Sequence, residues 1–208
     1  MNLGAPCLAS ETWESTNRIY TATGKRLKMI DASGTTNYYY DSMDRLTSKQ
    51  TPEGTLTYLY DGAGNLASMT SSHTGGANVS YTYDTLNRLG TVVDNRLTGN
   101  QTTTYTYDNA NNVFTVAYPN GISATYGYDA LNRVTGLGSQ LGDYVYVLDN
   151  TGKRTTASEP NGRNVAWSYD GINRLYQESI SGAQSGKNGQ LAYGLDPVGN
   201  RTSATSGI

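Results

Sequence analysis

Polar and apolar positions in this chain alternate in short runs, and run after run ends in one phrase: two aromatics spaced by two, an Asp, a polar turn and an apolar residue. The fullest form is ATYGYDALNRV, Ala124–Val134. Good copies lie at Asn37–Leu46, Thr57–Leu66, Ser80–Leu89, Thr104–Val113 and Ala166–Leu175, and weaker ones at Ile19–Leu27, Tyr144–Thr155 and Ala192–Thr202. With the Asp as marker, and Thr21 in its place in the first copy, the series is Thr21, Asp41, Asp61, Asp84, Asp108, Asp129, Asp149, Asp170 and Asp196. The spacings are 20, 20, 23, 24, 21, 20, 21 and 26 residues. A period of this length marks a repeat architecture in which each repeat is one supersecondary element.

The offsets within a repeat predict its structure. Aromatics stand three and one residues before the marker (Tyr38/Tyr40, Tyr58/Tyr60, Tyr81/Tyr83, Tyr105/Tyr107, Tyr126/Tyr128 and Trp167/Tyr169), which puts both rings of a pair on one face of a strand. Three residues after the marker stand Gly24, Asp44, Gly64, Asn87, Asn111, Asn132, Gly152, Asn173 and Gly199, the side chains that tolerate positive φ. That position predicts a turn, and the marker Asp is placed to accept the turn's backbone amides as a cap. An apolar residue (Leu46, Leu66, Leu89, Val113, Val134 or Leu175) then opens a second strand. A second reversal, such as Pro52-Glu53-Gly54, Asn120-Gly121 or Asn161-Gly162, returns the chain to the next aromatic pair.

One repeat is therefore two antiparallel strands. About nine repeats fill residues 17–208 as one β-hairpin domain behind an N-terminal extension of residues 1–16, and no linker divides them. Open twisted sheets seldom exceed about ten strands without curling or closing. Up to eighteen strands thus predict an all-β fold of repetitive antiparallel hairpins in a strongly curved or spiralling single sheet. The aromatic pairs form a ladder on one face, and a mixed set including Tyr39, Leu59, Thr82 and Gly127 occupies the other.

Composition narrows the function. Of 208 residues 18 are Tyr, one is Phe and 24 are Gly, and 15% are charged, against about 25% in ordinary domains. A net charge of −2 offers nothing to a phosphate backbone, so no nucleic-acid partner is expected. No apolar run is long enough to span a membrane, and the opening residues do not form a signal peptide. Cys7, the single cysteine, excludes an internal disulfide. His73 has no second His at ligand spacing, and the Asp row recurs with the turn rather than with a second reactive group, so no metal, cofactor or catalytic residue is expected. Arg45, Arg88, Arg133 and Arg174, with Lys153 in the same place, are spaced to reach a neighbouring repeat's Asp as a surface ladder.

The Tyr-Asp pairs at Tyr40-Asp41, Tyr60-Asp61, Tyr83-Asp84, Tyr107-Asp108, Tyr128-Asp129 and Tyr169-Asp170, with the following NRL and PNG phrases, resemble the RHS/YD-repeat family over Ile19–Thr202. The resemblance implies a shell of β-hairpins that in long bacterial members encloses a C-terminal toxin or effector. It also implies secreted or cell-surface relatives, insecticidal toxin complexes and teneurins among them. Bacterial members carry an aspartyl autoprotease region marked by a DPxGL-type motif. Asp196-Pro197-Val198-Gly199 resembles its start, but Asn200-Arg201 follows, so the protease activity is not carried over.

Two functions remain open at this level. One is a non-catalytic scaffold, part of a shell around an effector. The other is a carbohydrate-binding or adhesion module whose groove is lined by Tyr126, Tyr128, Trp167 and Tyr169. Homo-oligomers through free sheet edges or through the aromatic face are a further expectation.

Overall fold

A computed structural model describes residues 17–99, 101–183 and 186–207. The expected extension, 1–16, lies outside the described residues, as do Cys7 and Trp13. The chain divides into two compact units, Met1–Gly99 and Asn100–Ile208, parting in a reversal where the sequence shows no boundary.

The N-terminal unit holds β1 (Asn17–Tyr20), β2 (Arg26–Asp31), β3 (Gly34–Tyr40), β4 (Leu46–Thr51), β5 (Gly54–Tyr60), β6 (Leu66–Ser71), β7 (Asn78–Tyr83) and β8 (Leu89–Asp94). The C-terminal unit holds β9 (Thr102–Tyr107), β10 (Val113–Ala117), β11 (Ser123–Tyr128), β12 (Val134–Ser139), β13 (Tyr144–Leu148), β14 (Arg154–Ser158), β15 (Asn164–Tyr169), β16 (Leu175–Ser181), β17 (Gly189–Leu195) and β18 (Arg201–Ser206). Within each unit every strand pairs antiparallel with its sequence neighbour, and the described residues contain no helix.

The curvature expected from strand number does not appear. Neither unit's sheet is closed or strongly curled, and within each unit strands touch only their sequence neighbours. The strand-number rule assumes that a one-sided apolar face must be wrapped around something. Here the aromatic face is half-covered within its own layer. Buried side chains are few among the described residues and mostly small (Val116, Ala124, Ala157, Val165 and Thr36), and each shares a face with the aromatic pairs. The rings themselves are half-buried, whereas residues between them point to solvent, with Tyr39 47% and Leu59 60% exposed.

The hydroxyl explains why the second ring of five pairs is Tyr and not Phe. Pairing between β4 and β5 stops at Ser48 and Thr57, leaving the Leu46 carbonyl beyond the ladder. Tyr60 Oη donates to that carbonyl at 2.8 Å. The same bond recurs from Tyr40 to Arg26 O (2.8 Å), Tyr83 to Leu66 O (3.0 Å), Tyr128 to Val113 O (2.9 Å) and Tyr169 to Arg154 O (2.9 Å). A backbone acceptor left without a partner in a half-buried place is costly, and the tyrosine of the next hairpin satisfies it.

Register slips by one residue beside every aspartate turn. Tyr40 faces Leu46 but Tyr39 faces Ser48, so Thr47 has no partner. Leu27, Ala67, Gly90, Phe114, Thr135, Thr155, Tyr176 and Thr202 are skipped in the same way. A bulge changes the parity of the strand. Residues five and eight after the marker therefore share the aromatic face, which simple alternation forbids. Where the bulged residue is Thr47 or Thr155, its hydroxyl donates to the carbonyl across the strand at 3.2 Å.

The tyrosine bond yields a direct test. Tyr128→Phe is expected to lose about 0.5–1.5 kcal/mol, because the Val113 carbonyl loses its donor while the ring is kept. Tyr126→Phe, at a hydroxyl that bonds no carbonyl of the neighbouring hairpin, serves as the comparison. Urea denaturation followed by circular dichroism measures both, and equal midpoints would contradict the assigned role.

Candidate functional site: the aromatic face and its aspartate turns

Each turn is closed by two backbone bonds and by its own carboxylate. In the repeat of Asp41 the Asp44 amide donates to Asp41 O (3.0 Å) and the Asp41 amide to Arg45 O (3.0 Å). Asp41 Oδ1 accepts from the amides of Met43 (2.9 Å) and Arg45 (3.0 Å), and Oδ2 from Arg45 Nε (2.7 Å). The pattern repeats at Asp61, Asp84, Asp129, Asp170 and Asp196, with Asn65 and Asn200 supplying a side-chain amide instead of a guanidinium; Asp149 receives Thr151 and Lys153. At Asp108, Oδ1 takes the amides of Ala110 and Asn112. The residue three after the marker has positive φ in all nine turns, from 59° at Asn132 to 96° at Gly199, with Gly24, Asp44, Gly64, Asn87, Asn111, Gly152 and Asn173 between them.

Neighbouring turns are joined by the residue four after the marker. It pairs with its own Asp, and not with the next repeat's carboxylate as the sequence spacing suggests. Its free hydrogens go to the next turn. Arg133 Nη1 donates to Asp149 O (2.9 Å) and Arg174 Nη1 to Asp196 O (2.7 Å). A Cβ on Gly152 or Gly199 would come within 3.6 Å of Arg133 Nη1 or 3.7 Å of Arg174 Cδ. Where the next turn carries Asn, a different side chain reaches it: Asn65 to Asn87 (2.6 Å), Asn112 to Asn132 (2.9 Å), and Lys153 to Asn173 (2.6 Å). Arg45 also lies 4.5 Å over the Tyr60 ring and Lys153 5.5 Å over Tyr169, so cation, ring and carboxylate form one junction in these two repeats.

The carboxyls respond to these donors. The Asp41, Asp84, Asp129 and Asp170 carboxyls are held below the usual carboxylate range first by the backbone amide of the arginine four residues on. Those of Asp61 and Asp196 are lowered first by an asparagine side chain, and that of Asp149 first by the Thr151 hydroxyl. Asp94, gripped by Arg96 in a reversal, is lowered to about 2. Carboxylates so fully engaged leave little capacity for a cation. Among the described residues no group of three or more His, Cys, Asp or Glu is placed to hold a metal ion. His73 sits exposed in a reversal, its Nδ1 3.0 Å from Thr74 O.

The four proposed ligand-binding aromatics do not converge. Tyr126 and Tyr128 lie on β11 and Trp167 and Tyr169 on β15, with three strands between, a separation of about 19 Å at the usual strand spacing. Tyr126 faces Leu137. The Tyr128 and Tyr169 hydroxyls are engaged with backbone. Trp167 faces Glu178 and donates Nε1 to its Oε2 at 3.2 Å, while the Tyr193 hydroxyl donates to Oε1. Glu178 was invisible to the repeat pattern, because the bulge is what brings it to this face. A cavity of about 710 Å³ opens beside Tyr126, between Phe114, Gly127, Gly136, Gln140 and Tyr144.

Two outcomes are expected from the turn geometry. A carboxyl whose folded pKa lies below its unfolded value adds stability that is complete above the unfolded value, near 4, and is lost as pH falls through the folded value. The thermal midpoint should therefore be nearly flat from about pH 5 to 8 and fall steeply below about pH 4. A melting series that stays flat to pH 2.5 would contradict the cap. Asn132→Val should cost about 1–3 kcal/mol more than Asn132→Gly, since a β-branched residue is strained at positive φ. Denaturant midpoints decide between the two.

Comparison with known proteins agrees with this geometry. The family model described as Teneurin YD-shell matches residues 11–188. Among curated proteins none matches the sequence. Of solved structures, the chain is similar to that of TcdB2-TccC3 (TM-score 0.75, 18% identity, 93% of this chain and 12% of that one) and to that of TcdB2-TccC3-Cdc42 (0.74, 18%, 92% and 11%). It is also similar to the Tc holotoxin pore of Photorhabdus luminescens (0.55, 16%, 89% and 12%). At such identities the likeness shows a shared fold, and the chain spans about an eighth of those chains or less. The match over residues 11–188, together with the turn and tyrosine geometry that recurs along the described residues, identifies the chain as a member of the teneurin YD-shell family.

Proposed function

We propose that the chain is a non-catalytic scaffold, a segment of shell wall that in a longer protein surrounds a C-terminal toxin or effector domain. One observation carries the reading: the recurring polar groups are consumed in joining hairpin to hairpin. Tyrosine hydroxyls serve backbone carbonyls, aspartates serve turn amides, and arginines bridge consecutive turns. A surface evolved to bind or turn over a ligand keeps such groups free for it. The likeness to structures of TcdB2-TccC3 supports an associated effector and an extracellular setting for the longer protein. A row of exposed apolar side chains at the turn tips, Met43 and Leu86 in one unit and Leu131, Ile172 and Val198 in the other, supports a wall with further neighbours.

The competing reading is a sugar-binding or adhesion module, favoured by the cavity beside Tyr126 with Phe114 and Tyr144 at its margins. A glycan array followed by isothermal titration separates the two. The scaffold reading expects no saturable heat with any glycan. Saturable millimolar or tighter binding that is lost in Tyr126→Ala or Trp167→Ala, with circular dichroism unchanged, would replace it with the binding module.

A further inference from the structure

The column eight residues after each marker lies on the aromatic face, brought there by the bulge. It is apolar at Met69, Val92, Val116 and Leu137, and charged at two members, Lys49 in the N-terminal unit and Glu178 in the C-terminal unit. Lys49 on β4 faces Tyr38 on one side and Leu56 on the other. It is half-buried and makes no ion pair among the described residues; the acid that feels its charge is Glu53 on the next reversal. Glu178 on β16 faces Trp167 and Leu191 and is likewise half-buried. Its hydrogen bonds come from Trp167 and Tyr193, both neutral, and it makes no ion pair among the described residues. The other cations on this face, Arg26, Arg154 and Arg201, are stacked on tyrosine rings near the turns.

A charge drawn partly out of water without an ion-pair partner is unfavourable, and a cover that brings the opposite charge relieves it. What fits the face around Glu178 is an apolar, ring-bearing surface with one cation at its middle. The face around Lys49 fits the same surface with one anion. Each unit's aromatic face has the character that the other lacks. We propose that the chain self-associates by laying the aromatic face of the N-terminal unit of one copy on that of the C-terminal unit of a second copy, with Lys49 meeting Glu178 of the second copy. Specific pairing follows from the two charges, since like units placed face to face would set lysine against lysine or glutamate against glutamate. The inference stands apart from cargo enclosure, because it concerns what covers the aromatic face and not what the wall surrounds.

Sedimentation equilibrium of the whole chain over a wide concentration range tests it. The wild-type protein should associate, and less tightly as salt rises. Lys49→Glu and Glu178→Lys should each weaken association about tenfold or more. The double variant Lys49→Glu/Glu178→Lys, and an equimolar mixture of the two single variants, should recover it to within about threefold. Glu178→Gln removes the charge at nearly constant shape and keeps one oxygen acceptor, for either Trp167 or Tyr193; it should be folded by circular dichroism and weakened, which covers the case in which Glu178→Lys fails to fold. A wild-type monomer at all concentrations overturns the proposal. So do single variants that associate like wild type, as edge pairing would give, and a charge swap that does not restore association.

Discussion

A sheet one layer thick has almost no interior, and whatever holds it must lie within the layer. In this chain the binding element is the junction between one hairpin and the next: a backbone carbonyl left over where their ladder ends, met by a tyrosine hydroxyl. The rest follows from placing that hydroxyl. The ring must stand at the end of its strand, directly before the turn, so it precedes the Asp. The turn must be rigid, so the Asp closes it through two amides, and a residue at positive φ lets the chain reverse. The arginine after the turn then holds its own Asp, stacks on the next tyrosine and, at Arg133 and Arg174, reaches the next turn's backbone. Stability is thereby passed along the chain from neighbour to neighbour, as in other repeat proteins, and does not accumulate in a core.

This arrangement accounts for the odd composition. Eighteen tyrosines against one phenylalanine is the record of a ring that needs its oxygen. Charge is used in the same way, with five ion pairs of 2.6–2.9 Å closed inside turns. Such pairs are part-exposed and individually weak in water. Their value here is geometric: each fixes a side chain that also contacts the next repeat.

The hairpin order and the all-β class were legible from the alternation and the period, since both survive in any copy of the phrase. The turn position was legible for the same reason, being held by Gly, Asn or Asp at one offset. What the sequence hid was parity. Counting by twos from Leu46 puts Lys49 on the solvent face, and only the unpaired Thr47 moves it across. The column containing Lys49 and Glu178 could not be found without that bulge. Curvature was misjudged because strand number was used as the constraint, when the layer is already tied hairpin to hairpin by Tyr40, Tyr60 and their equivalents. The ligand groove expected at Tyr126, Tyr128, Trp167 and Tyr169 draws on β11 and β15, which three strands separate, a distance the repeat phrase alone does not convey.

Hydrogen exchange is the most direct test of a layer held by its junctions, because it reads each junction separately. The amides of Arg45, Arg88, Arg133 and Arg174 are bonded to no strand; each donates to its own turn's carboxylate. If the turns are the structural units described, these four amides exchange as slowly as amides in the middle of the flanking strands. Exchange of all four at the rate of open loops, with the strands still protected, would contradict the account.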